Sequence, residues 1–368
     1  MSTSIKIIDV TNYLESLAPR SYQESYDNAG LITGNPESAV TGVLVTLDCT
    51  EDVLQEAKRL NCNLIIAHHP IVFRGLKKLT GVGYVERVVI GAIKNDLAIY
   101  ATHTNLDNVA AGVNRKICEK IGLQNLKILM PKVDTLSKLV AFIPTANADA
   151  VLSALYEAGA GQIGQYKNCS FSVEGTGTFM PGEGTNPHIG KVHSQEYVRE
   201  IRAEVILPKH LESKMVAALR KSHPYEEVAY YLSSLNNENQ DVGSGMVGEL
   251  EVPMEPMEFL RGLKVSMNLN MIRHTAIPGT PVKKVAVCGG SGSFLLPKAI
   301  QSGAQVFITA DFKYHEFFDA DGRIIIADIG HYESEAFTKE LIGDVLMKKF
   351  PSFAINFSKT VTNPISYI

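Results

Sequence analysis

The sequence predicts an α/β fold built as two related lobes, interrupted by an inserted α+β domain. Three observations carry this expectation. Continuous apolar runs alternate with helical patterns in the first third, the same plan returns in the last third, and the middle holds a tandem repeat of another kind. Apolar strands without polar alternation, separated by helices, belong to a parallel sheet covered on both faces.

Taken in order, Gly42–Asp48 is a β-branched strand, Glu51–Leu60 a helix and Asn63–His68 a second apolar strand. A helix over Val85–Lys94 then leads into the strand Leu97–Thr102. Lys283–Cys288, Gln305–Thr309 and Arg323–Ala327 read as buried strands of a second lobe, with Phe294–Ser302 helical between the first two. Sliding Thr41 onto Lys283 superposes Val43 on Val285, Ala57 on Ala299, Leu64 on Val306 and Ile66 on Ile308, and sets His69 on Asp311. Such a match supports two related lobes, although any two βαβ units share much of this pattern.

Between the lobes, Leu139–Ile143 is followed by Pro144 and a helix over Ala148–Glu157, and Ala203–Leu207 by Pro208 and a helix over Leu211–Lys221. Superposing the two prolines aligns the apolar positions of the two helices. Two tandem units of this type predict a ferredoxin-like split βαβ domain. Polar or Gly-rich stretches near Pro131–Leu136 and Ser234–Gly245 mark its ends. The expected division is therefore 1–130 for the first lobe, 131–240 for the insert and 241–368 for the second lobe.

Composition narrows the class of protein. The 368 residues are 45% hydrophobic and 20% charged, with a net charge of −4, so neither a disordered chain nor a strongly basic nucleic-acid binder is indicated. No apolar run reaches the length of a membrane span, and the first residues lack the pattern of a signal peptide. Five cysteines, scattered and without a CxxC pair, suggest neither a disulfide framework nor a zinc ribbon. A cytoplasmic protein is the expectation.

Five of the ten histidines, at 68, 69, 103, 315 and 331, lie in short polar segments just after predicted buried strands. In open α/β sheets, ligands gather beyond the carboxyl ends of the strands. His68 and His69 precede Pro70, which ends strand pairing, so two imidazoles that would otherwise face opposite ways could share a site. His103 and Asp107 follow the next strand, and His331 and Glu335 are spaced to share a helix face. Each segment alone reads equally well as a polar turn, a strand end or a helix-dipole partner.

Together, His68, His69, Asp107, His331 and Glu335 exceed the needs of one tetrahedral ion and suit two ions bridged by a carboxylate. Mixed nitrogen and oxygen ligands point to zinc, iron, manganese, cobalt or nickel. Two such divalent ions per chain would activate water for hydrolysis, with His103 and His315 in reserve. Gly289-Gly-Ser-Gly292 fits no phosphate-binding fingerprint and reads as a tight turn after a strand.

At this point the sequence resembles the GTP cyclohydrolase I type 2 homologue family, also called the NGG-interacting-factor-three-like family. The resemblance spans nearly the whole chain. It rests on Tyr26-Asp-Asn-Ala-Gly-Leu31, Ala67-His-His-Pro-Ile-Val-Phe73, Thr102-His-Thr-Asn-Leu-Asp107, Thr309-Ala-Asp-Phe-Lys-Tyr-His315 and Asp328-Ile-Gly-His-Tyr-Glu-Ser-Glu335. Tyr26 stands where the family usually has Trp, and Ala310-Asp311 where Gly-Asp is common; neither change removes a ligand.

The resemblance implies two lobes facing each other across a metal cleft. It implies His68 and His331 on one ion, His69 and Asp107 on the other, Glu335 bridging, and His103 and His315 as catalytic proton-transfer groups. It also implies a PII-like or CutA-like insert carrying His223-Pro-Tyr-Glu226, and a homohexamer built as a trimer of dimers. The expected activity is metal-dependent hydrolysis of a small-molecule substrate, with GTP ring opening or phosphoester hydrolysis of a nucleotide as candidates. Two other readings are a regulatory metal-binding hexamer that senses a small ligand through the insert, and a nucleic-acid-associated ring, which the acidic balance disfavours.

Overall fold

The computed structural model describes residues 4–368. It divides into two compact units, one made of 1–131 with 241–368 and the other of 132–240.

The first unit contains two mixed sheets. One runs, in spatial order, Gly30–Thr33, Ala98–Ala101, Leu64–Ala67, Gly42–Thr46 and Ala354–Phe357. The other runs Arg273–His274, Ile325–Asp328, Val306–Ala310, Val282–Ser291, Asn239–Met254 and Gln124–Lys132. The first has four adjacent parallel strands and the second three, as the alternation of apolar strands and helices predicts. Their registers reproduce the match found by sliding the sequence: Val43 pairs with Leu64 and Val45 with Ile66, while Val285 pairs with Val306 and Val287 with Ile308.

Alternation along the strands sorts the side chains by face. Val43, Val45, Leu64, Ile66, Val285, Val287, Val306 and Ile308 join one buried cluster that draws on both sheets. Leu44, Ile65 and Ile99 turn the other way, onto the helices Glu51–Arg59 and Tyr84–Lys94. Ala286, Phe307 and Ile326 do the same in the second sheet, packing on Leu296 and Ala299. The predicted helix over Phe294–Ser302 is shorter than expected. A single 3-10 turn comes first and the α-helix is confined to Leu296–Gln301, with Pro297 in its first turn, where its missing N–H costs nothing.

In the second unit, four antiparallel strands lie in the order Phe171–Phe179, Glu196–Pro208, Leu136–Pro144 and Tyr230–Leu235. Pro144 and Pro208 each end a strand and are followed by a 3-10 turn and a helix, Ala148–Ala158 and Glu212–Ser222. Those helices bury Val151, Leu155, Met215 and Leu219 against Leu139, Ala141, Val205 and Leu207. The two outer strands were not read from sequence, because they are largely exposed and polar. No described helix is long and apolar enough to cross a membrane.

The C-terminal segment is tied down by one acid. Glu56, buried on its helix, accepts hydrogen bonds from Ser358 Oγ at 2.6 Å, Lys359 N at 2.9 Å and Thr360 Oγ1 at 2.8 Å. Burial alone would raise the pKa of this carboxyl, but those donors outweigh it and bring it down to about 2 from an ordinary 4.5. A carboxyl depressed in the folded state stabilises above its unfolded value, and that stability is lost as pH falls through the folded one. Glu56→Gln should therefore destabilise the protein by about 2 kcal/mol at pH 7. Urea denaturation of both proteins should show the gap closing as pH drops from 4.5 toward 2. A gap independent of pH would contradict this assignment.

Candidate metal centre

The strand Leu64–Ala67 ends in His68 and His69, whose amides both still bond to the Leu47 carbonyl, at 3.1 and 2.9 Å. Beyond the last ladder pair the alternation of faces lapses, and the two rings come to lie 4.9 Å apart. From the neighbouring strand, His103 brings its ring to 5.6 Å from His68 and 5.5 Å from His69. From the second sheet, the segment after Ile325–Asp328 opens the short helix His331–Glu335, and His331 lies 5.3 Å from His69.

Glu335 is the hub. Its side chain is 3% exposed, and Oε2 accepts from His69 Nε2 at 2.8 Å and stands 3.2 Å from His331 Nε2. Oε1 lies 3.8 Å from His68 Nε2. Burial opposes ionisation here, but the surrounding imidazoles win and hold the carboxyl well below the usual range. Asp107 experiences the reverse. Burial and the neighbouring Glu335 charge push its carboxyl well above normal, and no hydrogen bond relieves its Oδ1.

Three further acids orient the imidazoles through contacts that no local spacing along the chain reports. Asp48 accepts from His69 Nδ1 at 2.7 Å, Asp27 from His103 Nδ1 at 2.6 Å and Asp311 from His331 Nδ1 at 2.7 Å. Asp48 and Glu335, against the effect of burial, raise His69 to about 9, and Asp311 and Glu335 likewise raise His331 to about 11. Asp27 is drawn down to about 2 by His103 and Thr104, which overcome its burial. Asp311 adopts a left-handed backbone with φ of 59°, an uncommon conformation for a residue other than glycine. Thr362 of the C-terminal segment donates to Asp48 at 2.6 Å, so the segment that Glu56 anchors also supports an imidazole partner. Each of the three acids sits next to a strand end or inside a quoted motif, the signal that could have singled them out.

His68 differs from its neighbours. It is fully buried, and neither ring nitrogen has a hydrogen-bond partner; burial lowers it to about 4 and keeps the ring neutral. Its Nε2 faces the orphaned Asp107 Oδ1 at 3.5 Å. Buried polar atoms almost always find partners, and a neutral imidazole lone pair beside unpaired carboxylate oxygens suits a cation. His68, His69 and Glu335 place one donor atom each within 4.8 Å of one another. The donor set therefore fits a transition-metal ion.

Of the seven residues singled out from sequence, the structure gathers six: His68, His69, His103, Asp107, His331 and Glu335. His315 stands apart. It is exposed, and its ring packs against Tyr314 at 5.2 Å and Phe318 at 6.5 Å. His68 Nε2 stands 3.5 Å from Asp107 Oδ1 and 3.8 Å from Oε1 of Glu335, whereas His69 and His331 approach Oε2.

The glycine-rich segment, which extends the strand Val282–Ser291 instead of forming the expected turn after it, provides clearance for this hub. The Gly290 amide is satisfied by Ser334 Oγ at 2.9 Å and the Gly289 amide by Asn114 Oδ1 at 2.9 Å, so neither is free to receive a phosphate. Gly290 has φ of 62°, and a Cβ there would run into the Glu335 carboxylate. Gly290→Ala should cost about 2 kcal/mol, from the left-handed backbone and the displaced carboxylate together. Chemical denaturation checks this, and unchanged stability would contradict it.

The chain matches the family model of Duf34/NIF3 (NGG1p interacting factor 3) over residues 5–364. It is 40% identical over 365 residues to a Halalkalibacterium halodurans protein named GTP cyclohydrolase 1 type 2 homolog, covering 98% of each chain. A Bacillus subtilis protein of the same name is 37% identical and covers 100% of each. Among solved structures, a Bacillus cereus protein related to NIF3 superposes with a TM-score of 0.89 at 37% identity, covering 100% of both chains. The chain belongs to the Duf34/NIF3 (NGG1p interacting factor 3) family.

Proposed function

We propose that the chain is a dinuclear metal-dependent protein of hydrolase type, with Glu335 bridging two ions. His68 and Asp107 would hold one ion at Oε1, and His69 and His331 the other at Oε2. The observation that carries this reading is the buried, unpartnered pair His68 Nε2 and Asp107 Oδ1 beside an already crowded carboxylate. When bound, two divalent ions supply Lewis-acid charge and lower the pKa of water. Asp48 and Asp311 fix the ring orientation of His69 and His331, the usual task of a carboxylate behind a metal-binding imidazole. His103, oriented by Asp27, lines the adjacent cavity and is placed to move a proton there. The two sheets of the first unit are read as two facing lobes, and the second unit as a ferredoxin-like, PII/CutA-like insert.

The cavity beside the cluster has a volume of about 200 Å³, with Tyr26 and Phe294 among its walls and neither Lys nor Arg lining it. Pockets that enclose drug-sized ligands run to roughly 300–1,000 Å³. This space fits a small ring better than a whole nucleoside triphosphate, and it offers no cationic side chain to a phosphate. GTP is thus one candidate substrate rather than the leading one, and the relatives' name supplies its main support.

Elemental analysis of protein purified without added metal or chelator tests the proposal. About two transition-metal ions per chain are expected. Glu335→Gln should lose most of that metal and, in a substrate screen, all turnover, while keeping its circular dichroism. Absence of metal, with no uptake at micromolar concentration, would overturn it.

A further inference from the structure

The second unit holds a cavity of about 430 Å³ that the metal centre does not use. Four aromatic rings, Phe142, Phe179, Tyr225 and Tyr231, lie among its walls. They meet in edge-on pairs, Phe142 with Tyr231 at 5.5 Å and Phe179 with Tyr225 at 5.7 Å. Glu200, Glu226 and Glu227 also line it, whereas no Lys or Arg does. Glu200 is 7% exposed. Its Oε1 accepts from the Tyr225 hydroxyl at 3.1 Å, and Oε2 lies over Gly177, where any Cβ would collide with it. Burial and the Glu200 charge push the Tyr225 hydroxyl up, so it remains a hydrogen-bond donor to Glu200.

We propose that this cavity binds a small organic cation, an alkylated ammonium with an apolar body. Ring faces and carboxylates both attract positive charge, and desolvation in such a site strengthens the attraction. An anion would meet three carboxylates, with the imidazole of His188 and no Lys or Arg to offset them. A neutral apolar ligand would add nothing to the single Tyr225 hydroxyl that serves the buried Glu200 carboxylate. The volume lies within the range of small-molecule sites. Gly177 contributes by leaving open the space that Glu200 occupies.

Titration calorimetry on the full-length protein tests this with choline and its neutral carbon isostere, 3,3-dimethylbutan-1-ol. The pair differs essentially by the positive charge. Choline should bind at least about tenfold more tightly than the alcohol. Glu200→Gln should remove that preference and leave the alcohol unaffected. If Glu200→Gln fails to fold, the exposed Tyr231→Leu decides, because it removes one ring without opening the core. It should weaken choline several-fold and change the alcohol little. Equal affinity for choline and the alcohol, no binding of choline, or choline binding unchanged in the folded variants would overturn the proposal.

Discussion

A carboxylate buried to 3% exposure has to be compensated, and the first unit is organised around that requirement at Glu335. Isolated, such a charge would be expelled or neutralised. Here His69 and His331 stand against one oxygen and His68 near the other, supplied by strand ends of two different sheets. Each of the first two imidazoles is backed by its own aspartate, so charge alternates outward from Glu335 to Asp48 and Asp311. The arrangement places demands on the backbone as well. Gly290 has to lack a side chain where Glu335 passes, and Asp311 has to take a left-handed conformation to reach His331. Gly290 lies near the end of one parallel core strand and Asp311 just after the next, so the sheets position the site directly.

That organisation was partly legible in the sequence. Continuous apolar strands report burial on both faces, which is why the parallel cores of both sheets were legible, whereas the registers that pair Val43 with Leu64 and Val285 with Val306 come from the structure. The pair His68-His69 before Pro70 and the spacing of His331 and Glu335 pointed to strand ends that the structure brings together. Edge strands such as Gly30–Thr33 and Phe171–Phe179 were not read, since exposed or short strands carry weak patterning. Partnerships such as Asp27 with His103 and Asp311 with His331 join residues that only the fold brings together, and no local period reports them. His315 illustrates the opposite error, a polar residue after a buried strand whose ring turns to exposed aromatics instead. The ligand grouping, too, depends on which oxygen of Glu335 each ring approaches, and spacing along the chain cannot specify it.

The two units present different chemistry. The candidate metal centre gathers imidazoles and acids from strand ends beside a small cavity, whereas the cavity of the second unit is walled by rings and carboxylates with no Lys or Arg. Membership in the Duf34/NIF3 family covers both, because the family match spans residues 5–364. A functional account of this chain therefore has two sites to explain.

The bridging role of Glu335 is the central claim, and anomalous scattering from crystals grown with manganese or zinc addresses it most directly. Two peaks about 3.5–4 Å apart are predicted, one between His68 and Asp107 and the other between His69 and His331, with Glu335 between them. A single peak shared by His68, His69 and Glu335, or no peak at all, would contradict the account.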